Sequence, residues 1–441
     1  MTKSSCFRNF AKYTSLNVMG MIALSCYILA DTFFVSKGLG ANGLAALNLA
    51  IPIYSFIHGS GLMIGIGGGT KYSILKSQEE NSGANCTFTN SVCLAAIFAV
   101  FFMLAGLFFS EYITSLLRAD ENVFDMSNTY LKVILLFAPF FLLNNVLLCF
   151  VRNDGAPQLS MAAMIGGSLS NVVLDWVFIF PCGMGIFGAV FATGLAPIIS
   201  MIILSPHFIK KRNGFHFTKC RLHKRISAEI LSSGVPSLVT EVSSGVVMIV
   251  FNAIILNLEG NMGVAAYGVI ANLSLVIIAI YTGIAQGIQP IMSRSYGMND
   301  SGSINTILRY ALITMLIFSA VIYTVVFFGA SQIAGIFNSE QNAVLQKIAE
   351  EGLRLYFIAC PFAGFNVILS MYFTSCERPK PAHLISVLRG FIVIIPAAFL
   401  LSLIGKIKGV WCAFPVTEIL VAVIGVVLFL KKRTVNERIN N

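Results

Sequence analysis

Apolar residues fall into twelve long stretches separated by short polar segments, and this pattern sets the architecture. A helical membrane span needs about 20 mostly apolar residues, and each stretch is that long or nearly so. The sequence therefore predicts an all-α, polytopic membrane protein with twelve transmembrane helices. The predicted spans are 16–35, 44–68, 90–110, 128–151, 160–180, 185–209, 230–257, 265–292, 307–330, 351–374, 384–404 and 410–430.

Composition agrees with this interpretation. Of the 441 residues, 57% are hydrophobic and only 11% are charged, whereas soluble domains average about 25% charged residues. The spans leave no room for a long soluble domain. The first apolar stretch is too long for the core of a signal peptide and has no small-residue cleavage site, so we expect it to be retained as a span.

The basic residues predict the orientation of the chain. The net charge of +10 comes mostly from Lys and Arg in the N-terminus, the 210–229 loop, the C-terminus and other loops on the same side. The opposite loops contain four basic residues, Lys37, Arg118, Lys406 and Lys408. The positive-inside rule then predicts a plasma-membrane protein with both termini cytoplasmic. We expect the basic surface to contact anionic membrane lipids, and no nucleic acid.

The second half of the chain repeats the first. Gly43 and the three residues after it return at Gly263, and further glycine, serine and proline positions recur at shifts of 219 to 222 residues. Six spans per half leave both halves starting on the same side of the membrane, so the repeats are parallel. We expect two pseudo-symmetric six-helix bundles, 1–209 and 230–441, joined by a solvated basic linker at 210–229.

Polar residues inside the spans mark the candidate site. Asn171 and Asp175 are four residues apart, which places both on one helix face, and Ser168 extends that face. A second acid, Asp31, ends the first apolar stretch. Intramembrane acids are functional candidates by default. Their hard oxygen atoms suit Na⁺ or a proton, and two buried carboxylates with no cation between them would repel each other.

Other chemistries find little support in the sequence. The ten cysteines are scattered without a Cys-x-x-Cys pair, so we interpret them as packing residues rather than disulfides or metal ligands. The histidines form no cluster with nucleophiles or acids, which argues against an intramembrane enzyme. No phosphate-binding Gly-x-x-x-x-Gly-Lys-Ser/Thr loop is present, and we expect neither ATP nor another cofactor.

Several segments together resemble the MATE family, the multidrug and toxic compound extrusion transporters. The resemblance covers nearly the whole chain, and it depends on the order and spacing of short motifs. These are 30–35 (ADTFFV), 43–46 (GLAA) with Pro52, 171–175 (NVVLD), 188–193 (GAVFAT), 234–237 (GVPS), and Gln289 and Pro290 leading to Tyr296 and Gly297.

The resemblance implies a V-shaped pair of six-helix bundles that exports amphipathic organic cations in exchange for Na⁺ or H⁺. It also implies a cation-coupling set made of Asp31, Asn171, Asp175 and Thr193, which would be the Na⁺ ligands if Na⁺ is the ion. Glu241 matches an acid often found in the seventh helix. Leu16 departs from the pattern, because many relatives have proline there.

The coupling ion and the function stay open at this stage. The oxygen ligands suit Na⁺ and H⁺ equally. A flippase for lipid-linked precursors with the same superfamily fold is the alternative function, and it would line its cavity with Arg or Lys. In the repeat, Asn252 is the second-half counterpart of Asp31. Because Asn252 is not an acid, ion coupling is expected in the first half. Asn252 and Glu241 are candidate cavity residues. We expect a monomer that handles small organic molecules.

Overall fold

The computed structural model describes residues 3–117, 119–220, 222–338 and 341–439, with the side chains of residue 3 and of 432–439 left out. Arg118, one of the four basic residues in the opposite loops, lies outside the described residues. Helices form almost the whole of the described chain. In chain order they are α1 (Lys3–Ser77), α2 (Asn81–Phe108), α3 (Ser110–Leu116), α4 (Glu121–Leu136), α5 (Ala138–Asn153), α6 (Pro157–Ile179), α7 (Gly185–Ile209), α8 (Lys224–Gly297), α9 (Ser301–Phe337), α10 (Ala343–Tyr356), α11 (Cys360–Ser375), α12 (Pro379–Val387) and α13 (Ile394–Ile439).

These helices give the twelve predicted crossings. Eight helical segments of the described chain are long and apolar enough to span a membrane. Three of them contain a break that divides them into two crossings, at Gly40 in α1, Gly260 in α8 and Lys406 in α13. One further crossing, the fourth along the chain, is formed by α4 and α5 together, which are bent by 47° relative to each other. This brings the number of crossings to twelve. Helix α1 runs through Leu16 without a break, so the missing proline leaves its first span regular.

The breaks repeat with the sequence. Gly40 has φ 65° and Gly260 has φ 61°, a left-handed conformation that glycine adopts without steric cost. They are 220 residues apart, within the range of shifts seen in the sequence. The turns after α1 and α8 are related in the same way, because Glu79 and Asn299 both have positive φ. The internal repeat is therefore a repeat of backbone geometry.

Apolar side chains form two large buried clusters. One draws on residues between Val35 and Ile230. The other draws on residues between Phe251 and Val421, together with Phe10 and Val18 from the start of α1. The first turns of the chain therefore pack against the second half, although they belong to the first half in sequence.

Glycines allow the two halves to touch backbone to backbone on the side of the membrane where the 210–229 linker lies. A Cβ atom at Gly67 would collide with the carbonyl oxygen of Ile230, and one at Gly234 would collide with the carbonyl oxygen of Met63. The glycines near the end of the second span thus allow close helix packing.

Most described residues of the linker are exposed, as expected of a solvated segment, but the linker is docked at one point. Phe215 is fully buried and packs in an aromatic cluster with Phe88, Phe150 and Phe208. The backbone N–H of Gly214 donates to Asp154 at 2.6 Å. Phe215 supplies the buried apolar area at this point, and Phe217 packs beside it on Phe88. The basic composition of the segment obscures both aromatic residues.

Two further expectations are corrected. Cys86 and Cys220 form a disulfide, although the cysteines were expected only to pack; these residues are 134 positions apart, so no local spacing indicated the pair. Arg152 is one of the basic residues expected in loops on the linker side, but it lies in the last turn of α5 and its side chain is only 2% exposed. It donates to Asn17 at 2.7 Å and to Gln286 at 2.8 Å, so it joins both halves of the protein.

Candidate cation site

Helix α6 separates a polar face from a lipid-facing one. Asn171 and Asp175 are fully buried, and Ser168 is nearly so. Between them, Leu169 and Val173 are exposed by 61% and 59% on the outer face. The spacing of three and four residues predicted this stripe, and the structure confirms that the three polar side chains point into the protein.

Asp31 and Asp175 meet across two helices. Asp31 is 7% exposed, and its carboxyl group lies against that of Asp175. Two carboxylates can only accept hydrogen bonds, so this contact needs a proton on one of them or a cation between them. The structure thus brings together two acids that are 144 residues apart in sequence.

Asn171 connects Asp175 to helix α7. With the amide oriented so that nitrogen faces the acid, Asn171 donates to Asp175 Oδ2 at 3.0 Å and accepts from the backbone N–H of Thr193 at 3.2 Å. This orientation is chosen because the opposite one leaves oxygen facing acceptors. The Thr193 hydroxyl donates to the Ala189 carbonyl at 3.1 Å. All four residues implied by the resemblance therefore lie in one cluster.

Tyr130 of α4 belongs to the same cluster. It is buried and lies against the side chain of Thr193. The sequence analysis missed it, because a tyrosine in an apolar span is ordinarily a core residue and no spacing rule relates it to α6 or α7.

Several oxygen atoms of the cluster have capacity for a ligand. Asp31 Oδ1, Asp175 Oδ1 and Ser168 Oγ are buried without a hydrogen-bond partner among the described residues. Buried polar atoms are ordinarily satisfied. Carboxylate, amide and hydroxyl oxygens are the ligands that hard monovalent cations and protons take. The residues present therefore fit either a Na⁺ ion or a shared proton.

A cavity adjoins the cluster. It encloses about 730 Å³, including the part open to solvent, and its lining contains Ser168 and Thr193. Tyr27 and Tyr54 form another part of the wall and share a hydrogen bond of 2.7 Å between their hydroxyls. Arg152 also lines this cavity. A molecule bound here would touch aromatic rings and lie next to the buried acids.

Glu241 lies at the border of this cavity with a second one. Its carboxylate is 3.6 Å from His58 Nδ1, and His58 lines the first cavity while Glu241 lines the second, of about 610 Å³. Arg389 is on the wall of the second cavity. The structure thus places Glu241 on a cavity wall, away from the four-residue cluster.

Asn252 is not brought to either place. It is half-buried in the first span of α8 and lines neither cavity. Glu418, another acid inside a span, is fully buried and bonded to Arg389 and Asn366. This ion pair gives Glu418 a structural role.

Comparison with known proteins identifies the family. The MatE family model matches residues 18–177 and again residues 236–400. The chain belongs to the MatE family. The double match follows the internal repeat, and membership in this transporter family confirms that the protein is not an enzyme.

Relatives extend over nearly all of this MatE protein. The multidrug export protein MepA of Staphylococcus saprophyticus is 25% identical over 422 residues, which cover 95% of this chain and 92% of the relative. A crystal structure described as MATE in complex with MaL6 has a TM-score of 0.92 at 23% identity, covering 98% of this chain and 97% of that one. An outward-facing multidrug resistance MATE transporter has a TM-score of 0.90 at 23% identity, covering 98% and 96%. The all-α MATE fold is thus confirmed.

Proposed function

We propose that this MatE protein is a secondary active antiporter that exports amphipathic organic cations in exchange for H⁺ or Na⁺. The observation that carries the proposal is the buried contact between Asp31 and Asp175. This pair requires a proton or a metal cation, and it adjoins a cavity lined by aromatic and polar side chains. The relatives named as multidrug export proteins support export as the direction.

Exchange follows from competition for the buried acids. A cationic substrate in the cavity would lower the affinity of the acids for a coupling cation, and the coupling cation would lower the affinity for substrate by the same factor. Asn171 donates to Asp175 and accepts from the backbone N–H of Thr193, so it holds this acid in position against α7. The Thr193 hydroxyl adds an oxygen atom for the ion. The site therefore needs no bound metal cofactor; Na⁺, if used, is cargo.

The lining of the two cavities suits an amphipathic cation. Tyr54 stacks on His58 with ring centroids 5.8 Å apart, and aromatic faces attract organic cations. Glu241 adds a carboxylate that is 32% exposed and can attract positive charge without the cost of a fully buried ion. We assign Glu241 to substrate attraction rather than to ion coupling.

The flippase alternative retains one supporting observation. Arg152 is buried on the wall of the first cavity, bonds to neutral amide oxygens and leaves its Nε without a hydrogen-bond partner among the described residues. A pyrophosphate lipid would pair with such a group. Asp31 and Asp175 lie buried beside this cavity, and Glu241 lines the second one, and because of these acids we favour a cationic substrate.

Counterflow in proteoliposomes tests the proposal. Liposomes are loaded with a fluorescent organic cation, and Na⁺ and pH gradients are imposed separately. We expect one gradient to drive efflux and the other to have no effect. A pyrophosphate-linked lipid that is moved while organic cations are not would establish the flippase instead.

Topology gives a second prediction. We expect Cys182, which is exposed in the turn between α6 and α7, to react in intact cells with a membrane-impermeant maleimide. A cysteine introduced by Lys211→Cys in the linker should react only after the cells are opened, because we place the linker and both termini in the cytoplasm. The Cys182→Ser variant gives the background, and labelling of Lys211→Cys in intact cells would refute this orientation.

Asymmetry between the halves gives a third prediction. Asn252→Ala should leave ion coupling intact, whereas a change of its repeat partner Asp31 should remove coupling. One elementary charge crossing the membrane potential is worth about 2.3 kcal/mol per 100 mV, and only a group that binds a cation can use it. Ion stoichiometry and substrate affinity are measured on both variants. Equal loss of coupling in Asn252→Ala would show that the first half does not act alone.

A further inference from the structure

The docked linker follows one face of helix α2. Three side chains of this helix, Asn85, Thr89 and Asn90, accept hydrogen bonds from backbone N–H groups of the linker. Positions 85, 86, 89 and 90 lie together on a helix, and the linker passes over them in an extended form. The ladder fixes the linker residues that follow Phe215 at defined positions along α2.

Two sulfur atoms and one imidazole meet on this ladder. One ligand atom each from Cys86, Cys220 and His223 lies within 4.8 Å of the others. The Asn90 side-chain N–H group contacts both sulfurs, at 3.4 Å from Cys86 and 3.3 Å from Cys220, while its oxygen accepts from the His223 N–H at 3.1 Å. Asn90 is 1% exposed, so a buried amide organises all three groups.

The compartment decides which chemistry these groups perform. The proposed orientation places the linker in the cytoplasm, where protein thiols are kept reduced and lasting disulfides are rare. Two thiolates and an imidazole are the ligands that Zn²⁺ selects in proteins. The disulfide and a metal complex exclude each other, because both use the same two sulfur atoms.

We propose that Cys86, Cys220 and His223, in their reduced form, bind a zinc-class transition metal ion. The site would offer three protein ligands of the four that Zn²⁺ takes, with the last position left for water. This inference depends on the cytoplasmic placement of the linker and on no other part of the proposed function. The metal would join α2 of the first half to the residue directly before α8, and so tether the connection between the two halves.

Metal binding to the reduced, detergent-purified protein tests the proposal. After treatment with a phosphine reductant, Co²⁺ should bind with one ion per chain and give the thiolate charge-transfer and ligand-field absorption of a tetrahedral site. Zn²⁺ should displace it. Cys86→Ser and Cys220→Ser should abolish the absorption, whereas Cys93→Ser, which changes an exposed cysteine of the same helix, should leave it intact.

Two further variants separate coordination from general effects on the fold. His223→Gln should remove the nitrogen ligand and alter the absorption spectrum. Asn90→Leu should weaken Co²⁺ binding by about 10- to 100-fold, the range for groups that orient metal ligands. Both variants should retain gradient-driven transport when no transition metal ion is added, which would show that they fold.

Two results would overturn the proposal. The first is a reduced wild-type protein that binds no more Co²⁺ than Cys86→Ser. The second is a pair that resists alkylation in intact, growing cells until a reductant is added, because the disulfide would then be the resident state. In either case, transport by the wild-type protein is measured separately, so the proposed function stands or falls on its own experiment.

Discussion

Replacing Asp31 or Asp175 with asparagine is expected to reduce gradient-driven efflux to the level of liposomes without protein. The carboxamide keeps the size of the side chain and can still form hydrogen bonds, so the buried cluster should fold. It cannot release a proton or neutralise Na⁺. The two acids form one buried pair, so each variant removes half of one binding unit.

One control for this prediction keeps the carboxyl group at position 31, and the other removes an acid outside the cluster. Asp31→Glu retains a carboxyl group and should preserve part of the coupling. Glu241→Gln removes an acid that lines a cavity outside the cluster, and it should weaken substrate binding while the dependence on the ion gradient persists. Undiminished gradient-driven efflux by Asp31→Asn, in protein that reconstitutes normally, would rule out the assigned site.

Gly67→Ala is expected to disfavour the conformation described here and to slow transport. The new methyl group would meet the carbonyl oxygen of Ile230, and a backbone atom cannot rotate away as a side chain can. Overpacking of this kind typically costs about 1 to 3 kcal/mol, which corresponds to about a 5- to 150-fold shift between two states. Gly234→Ala, which meets the carbonyl of Met63, should act in the same way.

Gly268→Ala provides the matched control. Gly268 lies in α8, as Gly234 does, but has open space where a Cβ would be. Accessibility of a cysteine introduced beside the contact, by Leu231→Cys, reports the separation of the halves. We expect faster labelling in the Gly67→Ala background and no change in the Gly268→Ala background. Equal labelling in all backgrounds would mean that the close contact does not control the conformation.

The spans and the repeat were predictable because they depend on local pattern. Apolar length identifies a span wherever it occurs, and the shift between Gly43 and Gly263 reappears as the shift between the breaks at Gly40 and Gly260. The polar face of α6 was predictable for the same reason, since Asn171 and Asp175 are related by one helical turn.

The contacts between helices were not predictable from pattern. Thr193 was assigned through resemblance, and no rule of spacing led to Tyr130 or to the buried side chain of Arg152. Arginine at the end of a span normally faces water, so its bonds to Asn17 and Gln286 depend on how two distant helices cross. The docking of the linker depends similarly on Phe215, an apolar residue in a largely basic segment, which packs against aromatic rings of distant helices.

The central claim is that the export of an organic cation is coupled to the inward movement of a cation through the Asp31–Asp175 pair. The most direct measurement imposes only a substrate gradient on proteoliposomes and records the opposing flux of protons with an internal pH dye, or of radioactive Na⁺. Because coupling is reciprocal, wild-type protein should drive one of these fluxes and Asp31→Asn neither. Substrate efflux from wild-type liposomes with no opposing flux of either ion, or an unchanged flux in Asp31→Asn, would contradict the account.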